Sequence, residues 1–144
     1  MENSMMTNNM NGLSAALGTG NAPMHYYVSF ALDTNENRAM LVNALGAGCQ
    51  RVKDHVNETI NLRDFILQDV EVVDQNSGEV SQATRIILID ENKTAYACTS
   101  IGVKNAIKAL VMAYGEPATW KEAIPVKVVQ ISRGVNNILS LQIL

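Results

Sequence analysis

Apolar and polar residues follow a two-residue period over much of the chain between Ile60 and Leu144, which is typical of half-buried β-strands. Five runs in this stretch are rich in apolar and β-branched residues, at 62–74, 80–90, 94–100, 124–132 and 138–144. Short polar turns separate the first three runs from one another, and a hairpin loop joins the last two, so we expect antiparallel pairing within each of these groups. The pattern therefore predicts five strands that pair largely with their sequence neighbours.

One segment with helical spacing, Ile101 to Tyr114, interrupts this series between the third and fourth strands. Its apolar residues recur at intervals of three and four and predict one buried face that Tyr114 completes. Ser100 is a suitable N-cap, and Gly115 is suited to ending the helix. Three strands, one helix and two strands in this order predict a mainly-β protein with an oligonucleotide/oligosaccharide-binding barrel (OB-fold) of five strands.

The residues in front of the barrel predict an N-terminal extension and a tail. A strand is expected at 25–32 and a helix at 36–46, so we assign one OB-fold domain to 24–144, with 24–59 as its extension and 60–144 as its barrel. Residues 1–23 are rich in Asn, Gly, Ser and Thr and predict a flexible tail. The tail also carries apolar side chains that could form an arm docked on a neighbouring subunit: Met5, Met6, Met10, Leu13 and Leu17.

Composition indicates a globular protein, with 47% hydrophobic and 17% charged residues. No apolar run is long enough to span a membrane, and no signal peptide is evident. Cys49 and Cys98 are far apart in sequence and predict reduced packing residues in a cytoplasmic protein. The net charge is −3, but residues 1–92 carry five basic and twelve acidic residues, whereas residues 93–144 carry six basic and two acidic ones. This asymmetry favours a basic surface in the C-terminal half.

No catalytic motif is present. His25 and His55 are the only histidines, and neither stands in a pattern that implies catalysis or metal binding. We therefore predict no enzyme activity, no cofactor and no metal site. A metal-dependent nuclease stays open as an alternative, because carboxylates distant in sequence can converge in a fold.

Binding to single-stranded nucleic acid requires cations along the phosphates and aromatic faces for the bases. Tyr96 in the third strand is a candidate for stacking, while Trp120 and Phe65 are candidates for either stacking or the core. Six basic residues are candidates for phosphate contacts, two on strands with apolar neighbours, one in the last hairpin, and three before or at the start of the first barrel strand: Arg85, Lys127, Arg133, Arg51, Lys53 and Arg63.

Four phrases of the sequence are similar to a known family: INLRDFILQDVEVVDQNSGEV, RIILIDENKTAYACTSIGV, YGEPATW and IPVKVVQI. They resemble small single-stranded DNA-binding proteins of phages and conjugative plasmids of Gram-positive bacteria. The resemblance implies an OB-fold, binding to single-stranded DNA without sequence preference, and no catalysis. Housekeeping bacterial single-strand binding proteins end in a disordered acidic tail, whereas this chain ends in a predicted strand at Leu144.

The resulting prediction is a protein that binds and protects single-stranded DNA in plasmid transfer or in phage or plasmid replication. We expect a cooperative oligomer along the DNA, with residues 1–23 reaching the next subunit and no association with membranes. An OB-type adaptor between proteins of a transfer or replication complex is the main alternative, since the net charge is acidic.

Overall fold

Seven β-strands and two α-helices make up the part of the chain that the computed structural model describes, residues 26–46 and 48–144. In chain order the elements are β1 (Tyr26–Val28), α1 (Asn35–Leu45), β2 (Gln50–Arg51), β3 (Thr59–Val73), β4 (Val80–Asp90), β5 (Ala95–Cys98), α2 (Ile101–Tyr114), β6 (Ile124–Arg133) and β7 (Asn136–Ile143). Two short 3-10 helices, Val52–His55 and Pro117–Thr119, precede β3 and β6. The prediction of a mainly-β protein is confirmed. The five apolar tail residues selected from the sequence lie outside the described residues.

All strands belong to one curled, open sheet with the order β2-β5-β4-β3-β6-β7, and β1 pairs with β3 beside this path. The pairs are antiparallel except β2 with β5, which is parallel. In this order β2 and β7 stand at the two ends of the path, so the sheet does not close by hydrogen bonds between them. A five-stranded barrel with one further strand in the N-terminal extension was expected. The structure instead has a curled open sheet, a half-barrel, with seven strands in its described part.

Strand β2 was missed because it consists of two polar residues with no periodic pattern. It forms through a long-range contact, with Gln50 opposite Tyr96 and Arg51 opposite Ala97. The chain then turns so that Val52 is fully buried in the core. After this turn the Asn57 N–H donates to the Val128 carbonyl at 2.7 Å, which ties the segment before β3 to β6.

Two aspartates shape the turns between β3 and β4 and between β4 and β5. Asp74 Oδ1 accepts the backbone N–H groups of Asn76 at 2.7 Å and Ser77 at 3.0 Å. These two hydrogen bonds hold the pKa of Asp74 below its usual range, and the bond from Ser77 contributes more than the bond from Asn76. Asp90 Oδ1 accepts the N–H groups of Asn92 and Thr94, both at 2.9 Å, and so shapes the turn before β5.

Helix α2 begins and ends as its sequence predicts. Ser100 Oγ accepts the Val103 N–H at 3.3 Å, and Gly115 leaves the helix with a φ of 81° that favours glycine. Val103, Ile107 and Leu110 are buried against the sheet. Tyr114 was expected to complete this buried face, but it is 50% exposed. Trp120 instead folds back toward the end of α2 and belongs to the core.

The sheet has a core on each face. The inner face of the curl packs against α2 and includes Leu62, Leu88 and Val126. The outer face of β3, β4 and β5 is covered by α1, whose Ala44 packs with residues such as Ile87. Because α1 covers these strands, part of the outer surface of the sheet is occupied by the chain itself.

The N-terminal end of α2 joins the two edges of the curled sheet. Ser100, two residues after the end of β5, donates its Oγ hydrogen to the Leu139 carbonyl of β7 at 2.9 Å. Gly102 lies so close that a Cβ atom there would be 2.1 Å from the same carbonyl oxygen. A glycine is therefore required for the helix to approach β7.

Neither α1 nor α2 combines the length and the apolar character that a membrane-crossing helix needs.

Candidate nucleic-acid interface

A groove of about 1110 Å³ lies where the two edges of the curled sheet face each other, and we call it the edge groove. One wall is formed by Arg51 of β2, by Lys53 of the 3-10 helix that follows it and by the end of β5, and the other wall by β7 together with the end of β6. The first residues of α2, Ile101 and Gly102, lie between the two walls. The groove is thus a product of the open sheet and would be absent from a closed barrel.

Two of the predicted phosphate-binding residues, Arg51 and Lys53, line the edge groove. Arg51 pairs with Asp54, with 3.1 Å between Nε and Oδ2, and both side chains are largely exposed. An exposed ion pair of this kind contributes about 0–1 kcal/mol, so a phosphate can compete with Asp54 for the guanidinium group. The positive end of the α2 dipole adds a further favourable potential for anions.

The other wall of the edge groove is mainly apolar. Ile131 at the end of β6 and Ile138 on β7 are exposed, and Ile101 contributes a third exposed aliphatic side chain from α2. Asn105 and Asn137 supply amide groups beside them. This combination of cations on one side and apolar and amide groups on the other suits a ligand with a charged backbone and flat, partly apolar bases.

Two other predicted cations, Lys127 and Arg85, lie outside the edge groove. Lys127 on β6 alternates with buried Val126 and Val128 and so belongs to the outer face. Arg85 on β4 is half-buried on the outer face, where its charge offsets part of the rise in the pKa of Cys49 that burial causes. Arg133 is the last residue of β6. The structure thus brings together two of the six predicted cations in one groove.

Arg63 has a structural contact that the sequence did not predict. It stands at the register shift between Leu62 and Asp64 in β3. Its guanidinium group donates to the carbonyls of Pro117 at 3.0 Å and Trp120 at 3.2 Å. Arg63 therefore fastens the connection between α2 and β6 to the sheet, and a phosphate would have to displace these bonds to bind there.

Two of the three aromatic candidates are core residues. Phe65 is 2% exposed and Trp120 is 7% exposed, and both belong to the inner core. Trp120 also donates its Nε1 hydrogen to the Gly115 carbonyl at 3.0 Å, which satisfies its polar atom inside the protein. The stacking roles predicted for these residues do not fit their positions, because neither ring offers a face to a base.

The burial of Trp120, the only tryptophan, leads to a spectroscopic prediction. We expect blue-shifted emission that saturating oligo-dT quenches only weakly, because no base can stack on the ring. Trp120→Phe should keep the oligo-dT affinity within about twofold and lower the free energy of unfolding by about 1–3 kcal/mol, through the lost N–H donor and the void it leaves. Emission titration, with acrylamide quenching as the accessibility control, checks this. Strong quenching by oligo-dT together with lost affinity in Trp120→Phe would contradict it.

Tyr96 is half-buried against the inner core rather than standing free on the surface. Its ring meets the edge of His55 with 4.9 Å between centroids, and its hydroxyl donates to Asp90 Oδ2 at 3.4 Å. Burial raises the pKa of Tyr96, and the negative charge of Asp90 raises it further. Stacking of a base on its exposed part stays a prediction.

The exposed aromatic rings are tyrosines that sequence reasoning did not select for binding. Tyr26 is 54% exposed, and Tyr27 and Tyr114 are also exposed. Tyr26 lies opposite Gln68 of β3, which lies opposite Arg85 of β4, so the tyrosine and the arginine share one row of the outer face. The sequence did contain a signal for an exposed tyrosine here. Adjacent residues on a strand point to opposite faces, so one of Tyr26 and Tyr27 had to point outward.

Within residues 26–46 and 48–144, no group of three or more His, Cys, Asp or Glu side chains is arranged to hold a metal ion. Cys49 and Cys98 are free thiols, and burial raises the pKa of both. A raised thiol pKa disfavours the reactive thiolate at neutral pH. These two residues behave as packing residues in this part of the chain.

Comparison with known proteins shows a match to a protein family. The family model described as Phage Single-stranded DNA-binding protein matches residues 23–144, which include both helices and all seven described strands. No curated protein and no solved structure matched the chain.

Proposed function

Since the chain belongs to the phage single-stranded DNA-binding protein family, we propose that it binds single-stranded DNA without sequence preference and protects it, with no catalysis of its own. We further propose that the protein acts in plasmid transfer or in phage or plasmid replication, as predicted from the sequence. The observation that carries it is the family match over residues 23–144. The edge groove supplies the physical basis, because it combines cations with apolar surface along a continuous path.

We propose that the DNA backbone follows the Arg51 and Lys53 wall of the edge groove. Phosphates there would gain from both cations and from the N-terminal end of α2. Bases would turn toward Ile131 and Ile138, which are exposed on the opposite wall. None of these contacts reads the edge of a base, which supports binding without sequence preference.

A second contact is proposed on the outer face, where Tyr26 and Arg85 share a row across the sheet. A base stacked on the exposed Tyr26 ring would bring its phosphate toward the guanidinium group of Arg85. Lys127 lies on the outer face of β6 and would extend the positive potential. A strand that leaves the edge groove could continue along this surface.

We also propose that the curled sheet is an OB-fold variant. The order β5-β4-β3-β6-β7, with α2 between β5 and β6 in sequence, supports this assignment. Its barrel would be open between β5 and β7, where the edge groove lies.

One titration tests the function directly. Labelled oligo-dT and a duplex of the same length are titrated by fluorescence anisotropy over a series of salt concentrations, with and without Mg²⁺. We expect preference for oligo-dT, affinity that falls with salt, and intact oligonucleotide when Mg²⁺ is present. Absence of salt-dependent binding would favour the protein adaptor instead, and Mg²⁺-dependent degradation would favour a nuclease.

Cooperative assembly along DNA is part of the proposal, with residues 1–23 as an arm that reaches the next subunit. Support comes from the apolar side chains of this segment, including Met5, Leu13 and Leu17, in an otherwise polar sequence. Removal of residues 1–23 is expected to lower cooperativity on long oligo-dT in the same titration. Unchanged cooperativity and stoichiometry would exclude the arm.

A further inference from the structure

Strands β3 and β4 extend beyond the rest of the sheet as a two-stranded ribbon, residues 69–84, which we call the acidic ribbon. Pairing of β3 with β1 ends at Gln68, and pairing of β4 with β5 ends at Ile86. From Asp69 opposite Thr84 to Val73 opposite Val80, the two strands therefore pair only with each other among the described residues. Such a ribbon leaves two strand edges and two faces open to other molecules.

The acidic ribbon is unsuited to nucleic acid and suited to a basic protein surface. It carries Asp69, Glu71, Asp74 and Glu79, and no lysine or arginine occurs between residues 69 and 84. These carboxylates repel phosphate groups. At its tip, Val73 and Val80 face each other across the strands and are 57% and 58% exposed. The tip therefore adds a small apolar area beside the carboxylates.

One face of the ribbon presents a regular series. Asp69, Glu71 and Val73 alternate with residues of the other face, so the three side chains lie on one side with a step of about 6.8 Å. Along this face two carboxylates are followed by an apolar side chain. Val80 of β4 lies opposite Val73 and enlarges the apolar end of the series.

The exposed side of α2 presents the complementary series. Lys104, Lys108 and Met112 are spaced four residues apart, so they form a stripe with a step of about 6 Å. All three are exposed, and Met112 is 88% exposed. The described ion pairs involve neither lysine and neither Asp69 nor Glu71. The two series match in order, charge and spacing, and among the described residues neither series takes part in an ion pair.

We infer that the acidic ribbon of one copy docks on the outer stripe of α2 of a second copy. Asp69 and Glu71 pair with the two lysines, and Val73 and Val80 pack on Met112. Because the two surfaces differ, the contact is head-to-tail, and along a DNA strand it repeats from one copy to the next. The contact is small, so it forms when a DNA strand holds copies side by side at high effective concentration. The inference rests on the proposed binding to single-stranded DNA and adds an interface separate from residues 1–23.

Charge reversal on each side tests this interface. The variants are Asp69→Lys/Glu71→Lys and Lys104→Glu/Lys108→Glu, all at exposed positions. Cooperativity is measured on long oligo-dT, and intrinsic affinity on the shortest oligo-dT that binds one copy. Each variant is expected to lose cooperativity by about tenfold, since like charges replace two ion pairs. Asp33→Lys/Glu122→Lys makes the same change in net charge as the ribbon variant at other exposed sites and should retain cooperativity.

Rescue distinguishes the interface from a general charge effect. In an equal mixture of the two reversed variants, every contact between unlike copies regains opposite charges, so cooperativity should return. The variant with all four changes should regain it as well. Cooperativity that is absent from the wild type, unchanged in either reversed variant, or lost and not restored by mixing would overturn the inference. Failure of the wild type to bind the one-copy oligo-dT would instead overturn the proposed function.

Discussion

Replacing Gly102 with alanine is expected to lower the free energy of unfolding by about 1–3 kcal/mol, the range found for overpacked sites. Alanine is the better helix former, and in an exposed helix the same change stabilises by about 1 kcal/mol. Here the new Cβ would lie 2.1 Å from the Leu139 carbonyl oxygen and 3.0 Å from Cγ2 of Ile138. The first of these contacts involves backbone, so α2 must move away from β7 and strain the bond from Ser100 to Leu139.

Urea denaturation followed by circular dichroism measures this effect. Met112→Ala is the control on the same helix, since Met112 is exposed and its replacement should change stability by no more than about 0.5 kcal/mol. A Gly102→Ala protein as stable as the wild type would show that α2 does not approach β7 this closely. The sign of the change is therefore informative, because helix propensity and the tertiary contact predict opposite results.

The second large effect concerns the edge groove, whose two cations are Arg51 and Lys53. For single strands the slope of log affinity against log salt is about −0.7 for each neutralised phosphate. If both residues contact phosphates, Arg51→Gln/Lys53→Gln should reduce the steepness of this slope by about 1.4 and weaken oligo-dT binding about 25-fold at 0.1 M salt. Anisotropy titrations at four or more salt concentrations measure both quantities.

A matched control separates the groove from net charge. Arg38→Gln/Lys121→Gln also removes two positive charges at exposed positions, but these residues do not line the edge groove. Its salt slope should stay close to that of the wild type. Asp54→Asn should act in the opposite direction and tighten binding, since it releases Arg51 from its ion pair. Equal losses in the groove variant and the control would contradict the proposed path of the DNA.

Much of the fold was accessible from the sequence because it depends on local interactions. The β3 and β4 runs, the α2 boundaries at Ser100 and Gly115, and the polar turns follow from side-chain period, helix capping and turn chemistry. The outward positions of Arg85 and Lys127 followed from the same alternation. Strand β2 could not be predicted, since its two residues become a strand only by pairing with the distant β5.

The candidate site was harder to predict from the sequence than the fold. Arg51 and Lys53 were selected among six cations, but nothing in the sequence distinguished them from Arg63, which instead binds two loop carbonyls. The sequence also could not decide between core and surface for the aromatic rings. Trp120 is buried and Tyr114 exposed because the chain after α2 folds back over the end of the core.

By itself the sequence determined the mainly-β class, the limits of the long helix at Ser100 and Gly115 and the resemblance to single-stranded DNA-binding proteins. These depend on periods and phrases within short stretches. Only the tertiary structure decided that the sheet stays open, that α1 covers part of its outer face and that the two open edges form a groove. Those features arise from the register of strands far apart in sequence and from the close approach at Gly102, where backbone geometry rather than local preference determines what fits.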